Sequence, residues 1–275
     1  MAGHDKIDRQ DRKEPQVPAR FHEFLRFFWT DSISAFLCPT ASLFEGRIFY
    51  ALPLRYLRAF MSPSPINLAA FEAAPLTREP FPYAMVPRFV RTEAMGAINA
   101  DYPLVAHPGS FPLPTLQYGP AFAEFMAAIQ GPEFTRAVET KLGVDLKGRP
   151  TMVTARGVSA ARDGQIHTDS RTKLITVLIY MNNAWEAKTG RLRLLRGPTD
   201  LEDVIAEVPP DEGTLLIFKN EPNAWHGFHP FEGPRRVIQL NWVTDQGVVW
   251  REQTRHKVSA FFKRLRGKGP GSDRM

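Results

Sequence analysis

Ala224–Trp242 reads AWHGFHPFEGPRRVIQLNW, and the fold of the chain follows from how this stretch is read. Two runs rich in β-formers flank a Pro-Phe-Glu-Gly-Pro turn, which predicts strands at Ala224–His229 and Arg235–Val243. On the second strand a period of two puts Arg235, Val237, Gln239 and Asn241 on one face. Arg236, Ile238, Leu240 and Trp242 share the other. The first set suits a polar lumen and the second suits packing against helices. His226 and His229 are three apart, so in an extended segment only one can face inward. His226 is favoured, because Pro230 already begins the turn after His229.

Upstream, six more short strands are expected. They are Thr151–Arg156, Gln165–Thr168, Lys173–Asn182, Arg191–Arg196, Asp203–Val208 and Thr214–Phe218, most of them separated by Gly, Pro, Asp or Asn. Eight such strands after a helical lead-in predict an all-β core with flanking helices, an α+β double-stranded β-helix or jelly roll. Three helices are expected in the lead-in. One runs from Thr92, a candidate cap, to Ala100. One runs from Pro120 to near Gln130, and one from Pro132 to a stop at Gly143, with Phe134, Val138 and Leu142 on one face. The proline-rich loop from His107 to Tyr118 is expected to border a pocket. The compact domain is expected over 79–249, with the lead-in at 79–150 and the jelly roll at 151–249.

Outside that domain, residues 1–78 read as an extension, partly disordered, whose first 18 residues are polar and charged. Residues 250–275 carry eight Lys/Arg against two acids, so this tail alone accounts for the net charge of +6. Val258, Phe261, Phe262 and Leu265 make it a basic amphipathic helix. Such a face is ordinarily solvated, and contact with nucleic acid or anionic lipid is the alternative. The single cysteine, Cys38, excludes an intramolecular disulfide and favours a reducing compartment. With no apolar leader in the first dozen residues and no apolar run near the ~20 residues of a membrane span, a cytoplasmic protein is expected.

His167 and Asp169, two apart at the end of the second strand, leave the same face of the chain. A jelly roll would bring His226, on the seventh strand, beside them. Taken singly, these are a polar strand end and a satisfied core histidine. Taken jointly, in this order and on these strands, two imidazoles and one carboxylate suit the facial triad of a non-haem Fe(II) centre with open positions. A guanidinium on the last strand, Arg235 with Arg236 as the rival, suits a dicarboxylate.

The segments IHTDS (166–170), ITVLIYMNNAWEAKTGRLRLL (175–195), PPDEGTLLIF (209–218) and AWHGFHPFEGPRRVIQLNW (224–242) carry a family resemblance. Residues 151–243 resemble the Fe(II)/2-oxoglutarate-dependent dioxygenase superfamily in its prolyl-hydroxylase-like branch. The pattern HxD…HxxxPxxxxR is matched by His167, Asp169, His226, Pro230 and Arg235. The resemblance implies Fe(II) on the two histidines and Asp169, 2-oxoglutarate as cosubstrate and ascorbate as an accessory. It also implies a distal carboxylate held by Arg235 and by Tyr180, whose ordinary reading is a core aromatic. The implied activity is hydroxylation of a prolyl or other peptidyl group, or of a small molecule, with release of succinate and CO2.

Gln239, Asn241 and Asn182 suit supporting polar positions around the metal. Two features depart from the branch. Arg156 stands where the branch tends to carry a tyrosine near the end of the first strand, and the loop from Gly157 to Gln165 differs. Arg156 and Arg171 suit an anionic substrate or are surface cations. Other function classes are a non-catalytic, cupin-like metal-binding sensor and an interaction protein that docks through its basic tail.

Overall fold

The computed structural model describes residues 63–249, Glu212 excepted, and a short antiparallel pair, Leu43–Phe44 with Arg47–Ile48. The chain divides into two units, Met1–Ser62 and Pro63–Met275. The expected disordered leader and basic C-terminal helix lie outside the described residues.

In the second unit, helix α1 (Leu68–Ala73) opens with Asn67, whose side chain accepts a hydrogen bond from the Ala70 amide. Its Phe71 is fully buried, edge-on to Phe89 and Phe134. The compact unit therefore begins at Pro63, earlier than the expected Glu79. One aromatic docked in the core holds a segment that shows no sequence period. Strand β1 (Tyr83–Val86), also unanticipated, follows.

Helices α2 (Thr92–Ala100), α3 (Pro120–Gln130) and α4 (Pro132–Leu142) fall where their proline starts and apolar spacing put them. Thr92 is the first helical residue, however, and Arg91 is the N-cap, with no side-chain cap. The start of α3 is capped from a distance, since the Ala121 amide donates to Asp101 Oδ2 at 2.7 Å. Gly143 ends α4 in the left-handed conformation, φ 63°. A two-residue strand, β2 (Phe111–Pro112), lies between α2 and α3.

The remaining strands are β3 (Thr151–Ser159), β4 (Lys173–Tyr180), β5 (Leu192–Leu195), β6 (Val204–Val208), β7 (Leu215–Lys219), β8 (Trp225–Gly227) and β9 (Gly233–Val243). They form a six-stranded sheet in the order β1-β7-β4-β9-β3-β2 and a three-stranded sheet in the order β8-β5-β6. The expected strand at Gln165–Thr168 is reduced to one antiparallel bridge, His167 with His226, at the edge of the small sheet. Two antiparallel sheets between which the chain passes back and forth make the double-stranded β-helix.

The large sheet is apolar on both faces. Ile175, Val177, Ile179, Leu215, Ile217, Ile238, Leu240 and Trp242 share a core with the helices. The alternate residues Tyr180, Leu216, Phe218 and Val237 pack toward Leu192, Leu194 and Val208 of the small sheet. A strand covered on both sides has no reason to alternate, which is why LITVLIY and LLIF read as continuous apolar runs. The helices thus close one face, and the other packs toward the small sheet.

Candidate active site

Tyr180 reaches the inner face of the large sheet by strand parity and Arg235 by a bulge, while His226 on β8 is joined by the exposed His167 through a single bridge and by Asp169 two residues on. In β4, Thr176, Leu178 and Tyr180 share the inner face. In β9, Val237, Gln239 and Asn241 do so, directly across from Tyr180, Leu178 and Thr176. The register slips between Pro234 and Val237. This bulge places two arginines where one residue would sit and sends them to different sides. Arg235 turns inward and is 5 % exposed. Arg236 turns outward, donating to the Asn99 carbonyl and side chain and lying 5.0 Å over the Tyr102 ring.

One ligand atom each from His167, Asp169 and His226 lie within 4.8 Å of one another. The backbones of His167 and His226 exchange both hydrogen bonds, each at 3.0 Å. Residues paired in this way project side by side, and the rings stand 4.3 Å apart. His167 Nδ1 lies 2.8 Å from the Gln165 carbonyl, and His226 Nδ1 lies 3.0 Å from that of Ala224. A carbonyl can only accept, so both δ nitrogens carry the proton, which leaves the ε nitrogens as the atoms able to present lone pairs to a metal. His226 is kept neutral by burial first and by the neighbouring His167 second, which together lower its pKa to about 4.

Asp169 is gripped at both oxygens. Lys173 Nζ is 2.6 Å from Oδ1, and Thr176 Oγ1 donates to Oδ2 at 2.5 Å. Asn241 Nδ2 in turn donates to Thr176 Oγ1 at 2.8 Å. Burial alone would raise the Asp169 pKa. The Lys173 charge first, then the neighbouring His226 and the hydrogen bonds from Lys173 and Thr176, outweigh it, so the carboxyl stays below its ordinary range. Two imidazoles aimed through their ε nitrogens beside a fixed carboxylate are the donor set of a facial metal site.

At the other end of the interior, Arg235 Nε donates to the Gly190 carbonyl at 2.9 Å, and the guanidinium lies 4.3 Å over Phe228 and 5.4 Å over Tyr180. Among the described residues no carboxylate pairs with it. Burial lowers its pKa, while the neighbouring Tyr180 works the other way. Tyr180 is fully buried and its hydroxyl has no hydrogen-bond partner. A buried cation without a counter-ion and a buried hydroxyl without a partner each cost several kcal/mol or less by group, roughly 1–3 for the hydroxyl. The two side chains are neighbours, the guanidinium lying 5.4 Å from the Tyr180 ring centroid, and a carboxylate would satisfy both. The residues therefore fit an Fe(II) ion and a dicarboxylate together.

The other polar residues divide. Asn241 supports Asp169 through Thr176, a link hidden from the sequence, where Thr176 is one polar position in an apolar strand. Asn182 lies away from the metal group: its side chain bonds the Pro210 carbonyl at 2.5 Å and accepts from the Arg236 amide at 2.8 Å. His229 faces the other side of the small sheet and meets Glu202 at 2.6 Å and Arg193 at 3.0 Å. Lys173, Thr176 and Phe228 are site neighbours that no sequence pattern marked.

Fold and donor set together suit a jelly-roll metalloenzyme of the Fe(II)- and 2-oxoglutarate-dependent dioxygenase class. Residues 157–244 match the 2OG-Fe(II) oxygenase superfamily. Among solved structures, the chain is similar to a prolyl-4-hydroxylase of Pseudomonas putida (15 % identity, TM-score 0.45, 66 % of this chain and 97 % of that one). It is also similar to the viral collagen prolyl hydroxylase vCPH from Paramecium Bursaria Chlorella virus-1 in its 2OG complex (14 % identity, TM-score 0.43, 59 % of this chain and 96 % of that one). HygX from Streptomyces hygroscopicus with iron bound is a third (12 % identity, TM-score 0.41, 60 % of this chain and 83 % of that one). No curated protein matches the chain in sequence. Among the described residues no helix is long and apolar enough to cross a membrane.

Proposed function

We propose that His167, Asp169 and His226 hold the Fe(II) of this oxygenase, and that Arg235 and Tyr180 take the distal carboxylate of 2-oxoglutarate. The observation that carries the reading is the buried, unpaired guanidinium of Arg235 facing the partnerless Tyr180 hydroxyl in the interior that also holds the His-Asp-His group. A metal-binding jelly roll without turnover would have no use for that costly pair.

When bound, iron with 2-oxoglutarate and dioxygen supplies oxidative decarboxylation to succinate and CO2 and the transfer of one oxygen atom to a C–H bond. The protein's share is placement. The Gln165 and Ala224 carbonyls set the tautomer and aim of the two imidazoles. Thr176, backed by Asn241, turns the Asp169 carboxylate. Arg235 and Tyr180 fix the far end of the cosubstrate, and Phe228, Leu178 and Val237 give that end an apolar wall that keeps water out. The substrate is a peptidyl group, prolyl among them, or a small molecule. The lone Cys38 is in keeping with a cytoplasmic setting.

The test is anaerobic Fe(II) titration, with succinate release from 2-oxoglutarate after admission of dioxygen as the second readout. His167→Ala, Asp169→Ala and His226→Ala are expected to lose both. Arg235→Ala is expected to raise the 2-oxoglutarate requirement, and Arg236→Ala to leave that requirement unaltered. The opposite behaviour of the two arginines would refute the carboxylate assignment.

A further inference from the structure

Arg156 is a second guanidinium on the inner wall, and the cosubstrate does not account for it. In the register of the large sheet Tyr180, Val237 and Arg156 form one row across β4, β9 and β3. Strands are roughly 4.8 Å apart, so Arg156 starts about 10 Å from Tyr180 on the same face, with only the short Val237 between. Its charge is felt by both Tyr180 and Arg235. The backbone under it is pinned from behind, where the Tyr102 hydroxyl donates to the Arg156 carbonyl at 2.7 Å.

Arg156 differs from Arg235 in depth. Its side chain is 34 % exposed, and it is held by two props. Nε donates to Ser110 Oγ at 2.8 Å, and NH1 stands 3.6 Å from Asp163 Oδ2. The same Asp163 oxygen already serves its own turn, accepting from the Ala160 amide at 3.1 Å and from Ser159 Oγ at 3.4 Å. It steadies Arg156 as a loose ion pair. Lys173 occupies Asp169, the other carboxylate of the interior. Two guanidiniums thus belong to one face of the sheet, the buried one suited to the distal carboxylate of 2-oxoglutarate and the half-buried one left over from it.

We infer that Arg156 reads a carboxylate on the substrate, so that the molecule hydroxylated is an acid: a free amino acid or related small acid, or the C-terminal end of a peptide. This rests on the oxygenase reading above. A fork of N–H donors held at Nε and NH1 presents its remaining edge to an anion in a fixed plane, which suits a carboxylate better than a neutral amide.

The experiment uses the full chain loaded with Zn(II), which cannot turn over, and 2-oxoglutarate. Binding of matched probes is followed by NMR: proline and prolinamide, then Ala-Pro and Ala-Pro-amide. The expected result is a preference of about tenfold or more for the acid over the amide in at least one pair. That preference should collapse in Arg156→Gln and be partly kept in Arg156→Lys. A preference in the first pair assigns a free amino acid, and one only in the second assigns a peptide end. Equal binding of acid and amide, no binding of any probe, or a preference that survives in Arg156→Gln overturns the inference. A loss of 2-oxoglutarate affinity in Arg156→Gln as large as in Arg235→Gln also overturns it, by giving Arg156 to the cosubstrate. If the wild-type chain fails to bind 2-oxoglutarate at all, the oxygenase reading itself has failed.

Discussion

Tyr180→Phe removes one oxygen atom and should move stability and cosubstrate binding in opposite directions. In the ligand-free fold that oxygen is fully buried and makes no hydrogen bond. The nearest cation, Arg235, lies over the ring face, 5.4 Å from its centroid. An unpaired buried hydroxyl costs roughly 1–3 kcal/mol, and the adjacent positive charge recovers part of that. Its removal should therefore stabilise the metal-free protein by about 1 kcal/mol, or roughly 2–4 °C in Tm for a domain of this size. With 2-oxoglutarate the balance reverses. A hydrogen bond to a charged acceptor contributes roughly 1.5–3 kcal/mol, so its loss should raise the 2-oxoglutarate Kd about tenfold to a hundredfold. Thermal melts in excess chelator give the first quantity, and calorimetric titration of 2-oxoglutarate onto the Zn(II)-loaded chain gives the second. A lowered Tm with unchanged 2-oxoglutarate affinity would make the hydroxyl a structural group and refute the reasoning.

Thr176→Val deletes the hydroxyl that holds Asp169 Oδ2 while keeping the side-chain volume, and should weaken Mn(II) affinity by about 10–100-fold. Thr176→Ser should restore it, whereas equal Mn(II) affinity in the valine variant would remove Thr176 from the site. His226 titrates in the fold at about 4, against 6.5 ordinarily. Below pH 6.5 the unfolded chain takes up a proton that the fold refuses, so this contribution to metal-free stability is intact above pH 6.5 and lost toward pH 4. The full effect is on the order of 3 kcal/mol. Urea midpoints at pH 7 and pH 5 should show part of this decline, and His226→Gln should flatten it. An equal decline in that variant would assign the pH dependence elsewhere. Gly157→Ala would set a methyl carbon 2.3 Å from the Val105 carbonyl oxygen, so a loss of roughly 1–3 kcal/mol is expected in urea unfolding. An unchanged midpoint would mean that the loop from Asp101 to Ser110 yields freely.

Most of the β-helix could be read directly because its signals are local. Proline starts and apolar spacing marked α3 and α4, and the alternation within RRVIQLNW sorted β9 into an inner and an outer face. His167, Asp169 and His226 were visible because their order and strand placement are properties of the chain. Elements held by single long-range contacts were not visible. Helix α1 is secured by Phe71 in a core built mostly from residues far along the chain, and β1 exists because β7 has an open edge. The segment at Gln165–Thr168 looked like a strand but has only the His167–His226 bridge to pair with.

The sequence by itself determined the residue types that can hold the metal and their parity on the strands, since side-chain direction in an extended chain follows from position alone. Only the tertiary structure decided which arginine is buried, because a register slip between Pro234 and Val237 sends Arg235 in and Arg236 out, and register depends on the partner strand. It likewise decided that Asp169 leans on Lys173 and Thr176, that Tyr180 has no partner of its own, and that Arg156 is left half-buried. Each of these depends on which backbones lie within hydrogen-bond reach, a distance that the chain acquires only when its two sheets close on each other.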